Sequence, residues 1–226
     1  MQSSQHPTKR RTPAIVLLGP TGSGKTPLGD LIQQRGLWRA SCLHFDFGTN
    51  LRRIVDRNRP DHLISREDLD FLRRVLDSGA LLEDEHFPLA ERILRYFLDR
   101  HGADEHTVVV LNGLPRHVGQ AEAVDSIVDV TAVVHLLCSG ETVLARIRTN
   151  VGGDRSGRRD DDLESIRNKL NLFSKRTAPL LDHYRASGTR IETVEVTATM
   201  TPERMWQVLE AEKGDITDID TGIRTG

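Results

Sequence analysis

Cysteine is scarce in this chain, which has only 2 among its 226 residues. Two thiols are too few for a disulfide framework or for a tetrahedral metal site built from cysteine. Cys42 and Cys138 each lie beside an apolar run, where small thiols usually pack into the core. We therefore expect both cysteines to have a packing role and no chemical function.

Long hydrophobic runs are also absent, and no segment is long enough to span a bilayer. The first residues, MQSSQHPTKRRTP, contain no apolar stretch of the kind that forms a signal peptide. These absences predict a cytoplasmic protein with no membrane partner. Residues 1–13 and 214–226 are polar, and we expect both to form flexible tails.

An excess of charge of either sign is missing as well. The 31 Lys and Arg are nearly balanced by 33 Asp and Glu, so the composition does not indicate a nucleic-acid partner. Aromatic residues make up only 4%, but hydrophobic residues make up 37%, which is enough for an aliphatic core. A chain of this length typically forms one domain, and we expect it to be a monomer.

What the sequence has instead is a series of short aliphatic runs that alternate with helical patterns. Continuously apolar runs are typical of strands covered on both faces of a parallel sheet. Helical periodicity lies between them, most clearly in the stripe that contains Ala90, Ile93 and Leu94. The alternation predicts a three-layer α/β fold with a parallel five-stranded sheet flanked by helices. The predicted strands cover residues 14–18, 41–45, 107–111, 132–137 and 191–196.

Two intervals interrupt this alternation inside a domain that we expect to cover residues 14–213. Residues 47–100 show helical patterns without a convincing strand, which predicts a helical insertion. Residues 150–162, NVGGDRSGRRDDD, are rich in glycine and charge, and helical periodicity resumes only near Leu163. This second interval is typical of a short mobile flap.

The segment Gly19–Asp30, GPTGSGKTPLGD, follows the first apolar run and matches the phosphate-loop pattern G-x-x-x-x-G-K-[ST]. Its glycines allow successive N–H groups to surround a phosphate chain, and the lysine and the following helix add positive charge. Pro27 removes one further N–H donor that a phosphate could have used. The loop predicts binding of a nucleoside triphosphate. The residues predicted to bind it are Gly19, Gly22, Ser23, Gly24, Lys25 and Thr26.

Later motifs resemble the adenylate kinase family of nucleoside monophosphate kinases, in order along nearly the whole folded chain. FGTNLRR, at residues 47–53, and GALLEDE, at residues 79–85, resemble the family's acceptor-binding segments. LNGLPRHVGQAEAVD, at residues 111–125, is similar to its strand-end signature. ARIRTN, SGRRDD, SIRNKL and TAPLLDHYRASG resemble the lid and its flanking helices, in the short-lid form that lacks zinc-binding cysteines.

The resemblance implies a P-loop NTPase fold in which the helical insertion binds a nucleoside monophosphate. It implies transfer of the γ-phosphoryl group of ATP to that acceptor, most simply AMP, with Mg²⁺. Arg52 and Arg116 would bind the acceptor phosphate, and Leu82, Gly113 and Gln120 would lie near the acceptor base. The implied catalytic residues are Lys25, Arg116, Arg146, Arg158 and Lys169.

Several positions depart from the family pattern. Asn112 and Thr49 stand where acidic residues are usual, and we expect Asp46, with Thr26, to hold Mg²⁺ instead. Lys169 replaces a lid-helix arginine, and Phe47 replaces a small polar residue that faces the acceptor base.

Three functions therefore stay open at this point. The first is an AMP kinase, with pyrimidine monophosphates as the next acceptors. The second is a nucleotide-binding protein with weakened transfer, and the third is a kinase for another small acceptor. His117, next to Arg116, could face a phosphate, although a histidine at a helix start is more often solvated.

Overall fold

The structure, a computed structural model, describes residues 11–80, 82–154 and 162–212. These residues contain one parallel sheet of five strands in the order β2-β3-β1-β4-β5. The predicted α/β fold with a parallel five-stranded sheet is confirmed, and each strand lies within a few residues of its predicted position. The strands are β1 Thr12–Leu18, β2 Cys42–Asp46, β3 Val108–Asn112, β4 Val128–Leu137 and β5 Arg190–Glu195.

Helices pack on both faces of the sheet, which explains why the strands are continuously apolar. Within β1, Ala14, Val16 and Leu18 belong to one hydrophobic cluster, whereas Ile15 and Leu17 belong to the other. Successive side chains of a strand point to opposite faces, so burial on both faces requires apolar residues at every position. The helices are α1 Lys25–Arg35, α2 Phe47–Arg57, α3 Arg66–Ser78, α4 Phe87–His101, α5 Val118–Asp125, α6 Gly140–Thr149, α7 Leu163–Leu172, α8 Leu180–Ala186 and α9 Pro202–Ala211.

The two intervals that interrupt the alternation differ in what the structure describes. Between β2 and β3, the described residues form α2, α3, a 3-10 turn at Asp84–His86 and α4, with no strand. Helix α7 begins at Leu163, where the side chain of Asp162 caps it by accepting from Ser165 N at 2.9 Å. Residues 155–161, most of the predicted flap, lie outside the described residues, as do most of the predicted tails. The division into core, insertion, flap and tails stays a prediction.

The parallel sheet fixes the position of the site. The carboxyl ends of β1, β2 and β3 lie side by side at one edge, and β1 is between β3 and β4. Chain segments that leave neighbouring parallel strands at this edge typically form the ligand crevice of an open α/β sheet. Here those segments are the phosphate loop after Leu18, Asp46 at the end of β2 and Asn112 at the end of β3.

Cys42 is buried in the cluster on the α1 and α9 face, and Cys138 is partly buried against the same cluster. Both are free thiols, and burial raises the pKa of Cys42 to about 11. A thiol with so high a pKa is a poor nucleophile at neutral pH. Among the described residues, no helix combines the length and the apolar composition needed to cross a membrane.

Candidate functional site

The phosphate loop adopts a turn that its glycines make possible. Gly22 and Gly24 have φ angles of 75° and 102°, in the left-handed region that favours glycine. A Cβ atom on Gly22 would lie only 2.9 Å from Ile147 Cγ1, so a larger residue would also collide with α6. Helix α1 begins immediately afterwards, and the N–H groups of its first turn, which have no carbonyl acceptor within the helix, give this end of the loop a positive potential.

Lys25 lies across the loop. Its Nζ donates to Gly19 O at 2.6 Å and to Pro20 O at 2.8 Å, so the ammonium group is held over the loop by backbone carbonyls. The first intrahelical bond of α1 runs from Leu28 N to Gly24 O at 3.0 Å. Pro27 precedes it, so its missing N–H costs the helix no hydrogen bond.

Asp46 organises the strand ends beside the loop. Its carboxylate accepts hydrogen bonds from Thr26 Oγ1 at 2.6 Å, from Asn112 Nδ2 at 2.8 Å and from Thr49 N at 2.7 Å. Burial acts to raise the pKa of Asp46, but the bonds from Thr26 and Thr49 outweigh it and leave the pKa below its ordinary value. Asp46 is therefore ionised at neutral pH, beside the hydroxyl group of the phosphate loop.

Arg116, on the opposite side of the cleft, is fixed through its backbone. Its N–H donates to Gln120 Oε1 at 2.9 Å, and its carbonyl accepts from Thr177 Oγ1 at 2.8 Å. Within the part of the chain that the structure describes, the half-buried guanidinium makes no hydrogen bond. It interacts electrostatically with the carboxylate of Asp46. Burial lowers the pKa of Arg116, although a guanidinium stays charged in proteins. This geometry leaves a cation aimed at the cleft and ready for an anion.

Gln120 and His117 both contact the carbonyl of Leu82. Gln120 Nε2 donates to Leu82 O at 2.8 Å, and His117 Nε2 lies 3.2 Å from the same oxygen. His117 is only 5% exposed, with Nδ1 3.5 Å from Asp84 Oδ1, and it does not line the cleft. The histidine thus contacts protein atoms, is almost fully shielded from solvent and lies outside the cleft lining.

Arg52 and Phe47 occupy helix α2 at the edge of the cleft. Arg52 is exposed, and its Nη2 donates to Thr49 Oγ1 at 3.0 Å. Phe47 is 4% exposed, with its ring centroid 6.1 Å from that of Phe45. A Cβ atom on Gly113, whose φ is 84°, would lie 3.6 Å from Phe47 Cβ. Phe47 therefore closes one wall of the cleft with an apolar surface.

Most of the predicted site residues line a single cleft of about 230 Å³. Ser23 is fully buried beneath the loop, where its hydroxyl donates to Pro20 O at 2.9 Å. Arg158 lies outside the described residues. The predicted site residues that the cleft brings together are Gly19, Gly22, Gly24, Lys25, Thr26, Asp46, Arg52, Leu82, Gly113, Arg116, Gln120 and Lys169.

Arg146 is placed behind the phosphate loop, away from the cleft surface. It is 2% exposed; its Nε donates to Gly22 O at 3.1 Å, and its Nη1 donates to Thr197 O at 2.8 Å and Met200 O at 2.7 Å. Burial lowers the pKa of this guanidinium. In this arrangement Arg146 supports the loop and does not line the cleft, and its catalytic role stays a prediction.

Sequence reasoning missed the segment Phe173–Thr177, a short π-helix between α7 and α8. Phe173 and Thr177 line the cleft, and Arg176 forms a two-pronged ion pair with Glu83 at 3.2 and 2.7 Å. Pro179 gives the signal that could have revealed the segment, because a proline cannot donate to the carbonyl four residues earlier. The helix widens just before it, with Ala178 N donating to Phe173 O at 2.8 Å.

Comparison with known proteins identifies the family of this chain. A family model described as an AAA domain matches residues 15–167. The adenylate kinase of Xanthomonas campestris pv. campestris (strain 8004) is 34% identical over 185 residues, which cover 77% of this chain and 86% of that protein. The chain belongs to the adenylate kinase family. The adenylate kinase of Haloarcula marismortui is 26% identical over 224 residues, or 88% of this chain and 95% of the relative.

Membership of this family makes the chain an ATP-dependent phosphotransferase of the nucleoside monophosphate kinase type. A solved gluconokinase from Sinorhizobium meliloti 1021 aligns with a TM-score of 0.51 and covers 90% of this chain and 92% of its own. At 18% sequence identity this likeness shows a shared fold and nothing about the acceptor.

Proposed function

We propose that this adenylate kinase family member transfers the γ-phosphoryl group of ATP to AMP and so produces two ADP. An oxygen of the AMP phosphate would bond to the γ-phosphorus while the bond to the β–γ bridging oxygen breaks. The observation that carries the proposal is the half-buried guanidinium of Arg116, which faces the cleft of Lys25 with no hydrogen-bond partner among the described residues. Such a transfer needs cations converging on both phosphate chains.

The remaining cations are proposed to share this work. Arg52 would bind the acceptor phosphate with Arg116, and Lys25 would bind the phosphates of ATP. Lys169 also lines the cleft and would supply a point charge, with Arg158 joining it from the flap. Asp154 lies in the cleft wall, and a Cβ atom on Gly152 would lie 2.9 Å from Pro27 Cγ, so the start of the flap lies against the first turn of α1. Closure of the flap would exclude water.

Support for AMP as acceptor comes from Gln120 and from the relatives named adenylate kinase. The amide of Gln120 uses one N–H for Leu82 O and one lone pair for Arg116 N. A primary amide has a second N–H and a second lone pair, which can pair with the donor and acceptor edge of adenine. Pyrimidine monophosphates are the next candidates, because Phe47 reshapes the same wall.

Magnesium is proposed as the cofactor, held by Thr26 and Asp46. The carboxylate of Asp46 and the hydroxyl of Thr26, 2.6 Å apart, offer hard oxygen ligands. Such ligands suit a Mg²⁺ ion whose other ligands are phosphate oxygens and water. The described residues contain no cluster of three or more His, Cys, Asp or Glu that could bind the ion without the nucleotide. The ion would neutralise charge on the ATP phosphates.

The variant Asp46→Asn tests this role of Asp46. It should reduce the transfer rate at least about a hundredfold while the fold is kept. Near-normal rates would refute the role.

A coupled assay with ATP, Mg²⁺ and a panel of nucleoside monophosphates tests the function. Turnover with AMP supports the proposal. Tight nucleotide binding without turnover would favour a weakened nucleotide-binding protein, and no turnover with any nucleotide would favour another small acceptor. We also propose a monomer acting in the cytoplasm; gel filtration with light scattering would check the monomer.

A further inference from the structure

A second cleft, of about 470 Å³, lies on the other side of helix α2. Asn50, Arg53 and Arg57 project into it from α2, and Phe97 and Arg100 project into it from α4. The spacing along each helix is three or four residues, so each helix presents one face to the cleft. The cleft is thus built by facing surfaces of two helices and is not a gap between loops.

The lower wall of this cleft is apolar. It contains Ile54 from α2, Ile64 from the connection to α3, and Ile93 and Phe97 from α4. Tyr96, which is 40% exposed, stands at the rim. A wall of this kind can cover the aromatic or aliphatic body of a small ligand, as is usual in sites for organic ligands.

Three carboxylates, of Asp30, Asp46 and Asp61, and three arginines line this cleft, so its formal charges balance. Arg57 is paired with Asp61, and Asp30 Oδ1 lies 2.8 Å from His44 Nδ1. Asp46 is occupied by Thr26, Asn112 and Thr49, as described above. Arg53 and Arg100 have no hydrogen bond or ion pair within residues 11–80, 82–154 and 162–212. The guanidinium groups of these two arginines are therefore available to a ligand, and guanidinium binds phosphate through two parallel hydrogen bonds.

We propose that this second cleft binds a nucleoside phosphate, with its phosphate between Arg53 and Arg100 and its base against Phe97 and Ile54. The site is separate from the acceptor site, and the proposal does not depend on the transfer reaction. Thr26 and Asp46 line both clefts, so the two sites share a wall. A ligand in the second cleft would pack against α2, whose N-terminus Asp46 caps. It would therefore lie on the far side of the wall that the two clefts share.

Equilibrium dialysis with labelled AMP tests the proposal by counting sites on the full chain. At AMP concentrations up to about tenfold above the Kd of the natural protein's second cleft, the double variant R53Q/R100Q should bind one AMP fewer, because its affinity there falls at least about a hundredfold when two charged hydrogen bonds are lost. The matched control is R59Q/R74Q, which removes two exposed arginines that line neither cleft. It should retain every site.

Equal numbers of AMP sites in R53Q/R100Q, the control and the natural protein would overturn the proposal, whether or not the enzyme transfers phosphate to AMP. Inorganic phosphate as a second probe separates the phosphate from the nucleoside. Competition by phosphate at this site should be at least about tenfold weaker than competition by AMP, because phosphate cannot use the apolar wall. Equal competition would overturn the assignment of a nucleoside phosphate.

Discussion

The two ends of the nucleotide cleft are built in opposite ways. At the phosphate-loop end the reactive groups hydrogen-bond to the protein itself, since Lys25 donates to Gly19 O and Pro20 O and Thr26 donates to Asp46. At the acceptor end the protein binds the backbone of Arg116 and leaves its guanidinium without a hydrogen bond among the described residues.

This difference predicts how each end of the cleft binds its ligand. A triphosphate must replace hydrogen bonds that already exist, so part of its binding free energy is offset by the bonds that it breaks. An acceptor phosphate meets a guanidinium that has no hydrogen bond to give up among the described residues, so no such bond has to be broken. We therefore expect the phosphate-loop end to depend on the charged side chains themselves and the acceptor end to depend on the residues that position Arg116.

The largest effect is expected at Lys25. Lys25→Met should lower the transfer rate about a thousandfold, because the charge that stabilises the migrating phosphoryl group is removed from a water-poor site. A coupled ATP assay measures it, with the exposed Lys175→Met as the matched control. A loss below about tenfold would mean that the bonds to Gly19 O and Pro20 O persist with ATP bound and that Lys25 only shapes the loop.

A variant of Arg146 distinguishes support of the phosphate loop from direct contact with the substrates. Arg146→Met should lower the free energy of unfolding by about 3 kcal/mol, because the carbonyls of Gly22, Thr197 and Met200 lose their donor in a buried place. Urea unfolding measures it. The control is Arg148→Met, an exposed position two residues along the same helix. Unchanged stability with lost transfer would instead indicate that Arg146 reaches the substrates when the flap closes.

Thr177 tests whether Arg116 is positioned through its backbone. Thr177→Val removes the donor to Arg116 O and should lower kcat/KM for the acceptor about tenfold, the value of roughly one hydrogen bond, while KM for ATP stays unchanged. Thr177→Ser keeps the hydroxyl and should restore the rate. Equal losses in the two variants would show that the methyl group of Thr177 matters and the hydrogen bond does not.

The sheet and the phosphate loop were predictable because their signals are local. A strand buried on both faces must be apolar at each position, as Ala14 to Leu18 are, and a loop that wraps phosphate needs glycines at left-handed positions such as Gly22 and Gly24. Strand β2 has a short apolar pattern because it carries the polar residues His44 and Asp46. Asp46 lines the nucleotide cleft, and His44 lines the second cleft.

The roles of Arg146, His117 and Thr177 were not readable from the sequence, because each depends on partners far along the chain. Arg146 binds Thr197 O, and Thr177 binds Arg116 O. A family motif places an arginine in a helix, but the path of its side chain depends on which carbonyls the fold leaves unsatisfied nearby. His117, at the start of α5, is buried for the same reason, since Leu82 and Asp84 reach it from another segment.

The smallest effect concerns the pH dependence of stability at Asp46. The pKa of Asp46 in the folded protein lies below its ordinary value of 3.8, because hydrogen bonds to the ionised form outweigh the opposing effect of burial. The ionised carboxylate therefore adds stability that is fully present above the ordinary pKa and is lost as the pH falls through the lower folded value.

The difference in unfolding free energy between the natural protein and Asp46→Asn should be constant from about pH 7 to pH 5 and should shrink below about pH 4. Urea unfolding at each pH measures this difference. Asp56→Asn, in the helix that Asp46 caps, is the control for the general effect of removing one carboxylate. A difference that does not change with pH would mean that these hydrogen bonds do not favour the ionised form of Asp46 over its protonated form.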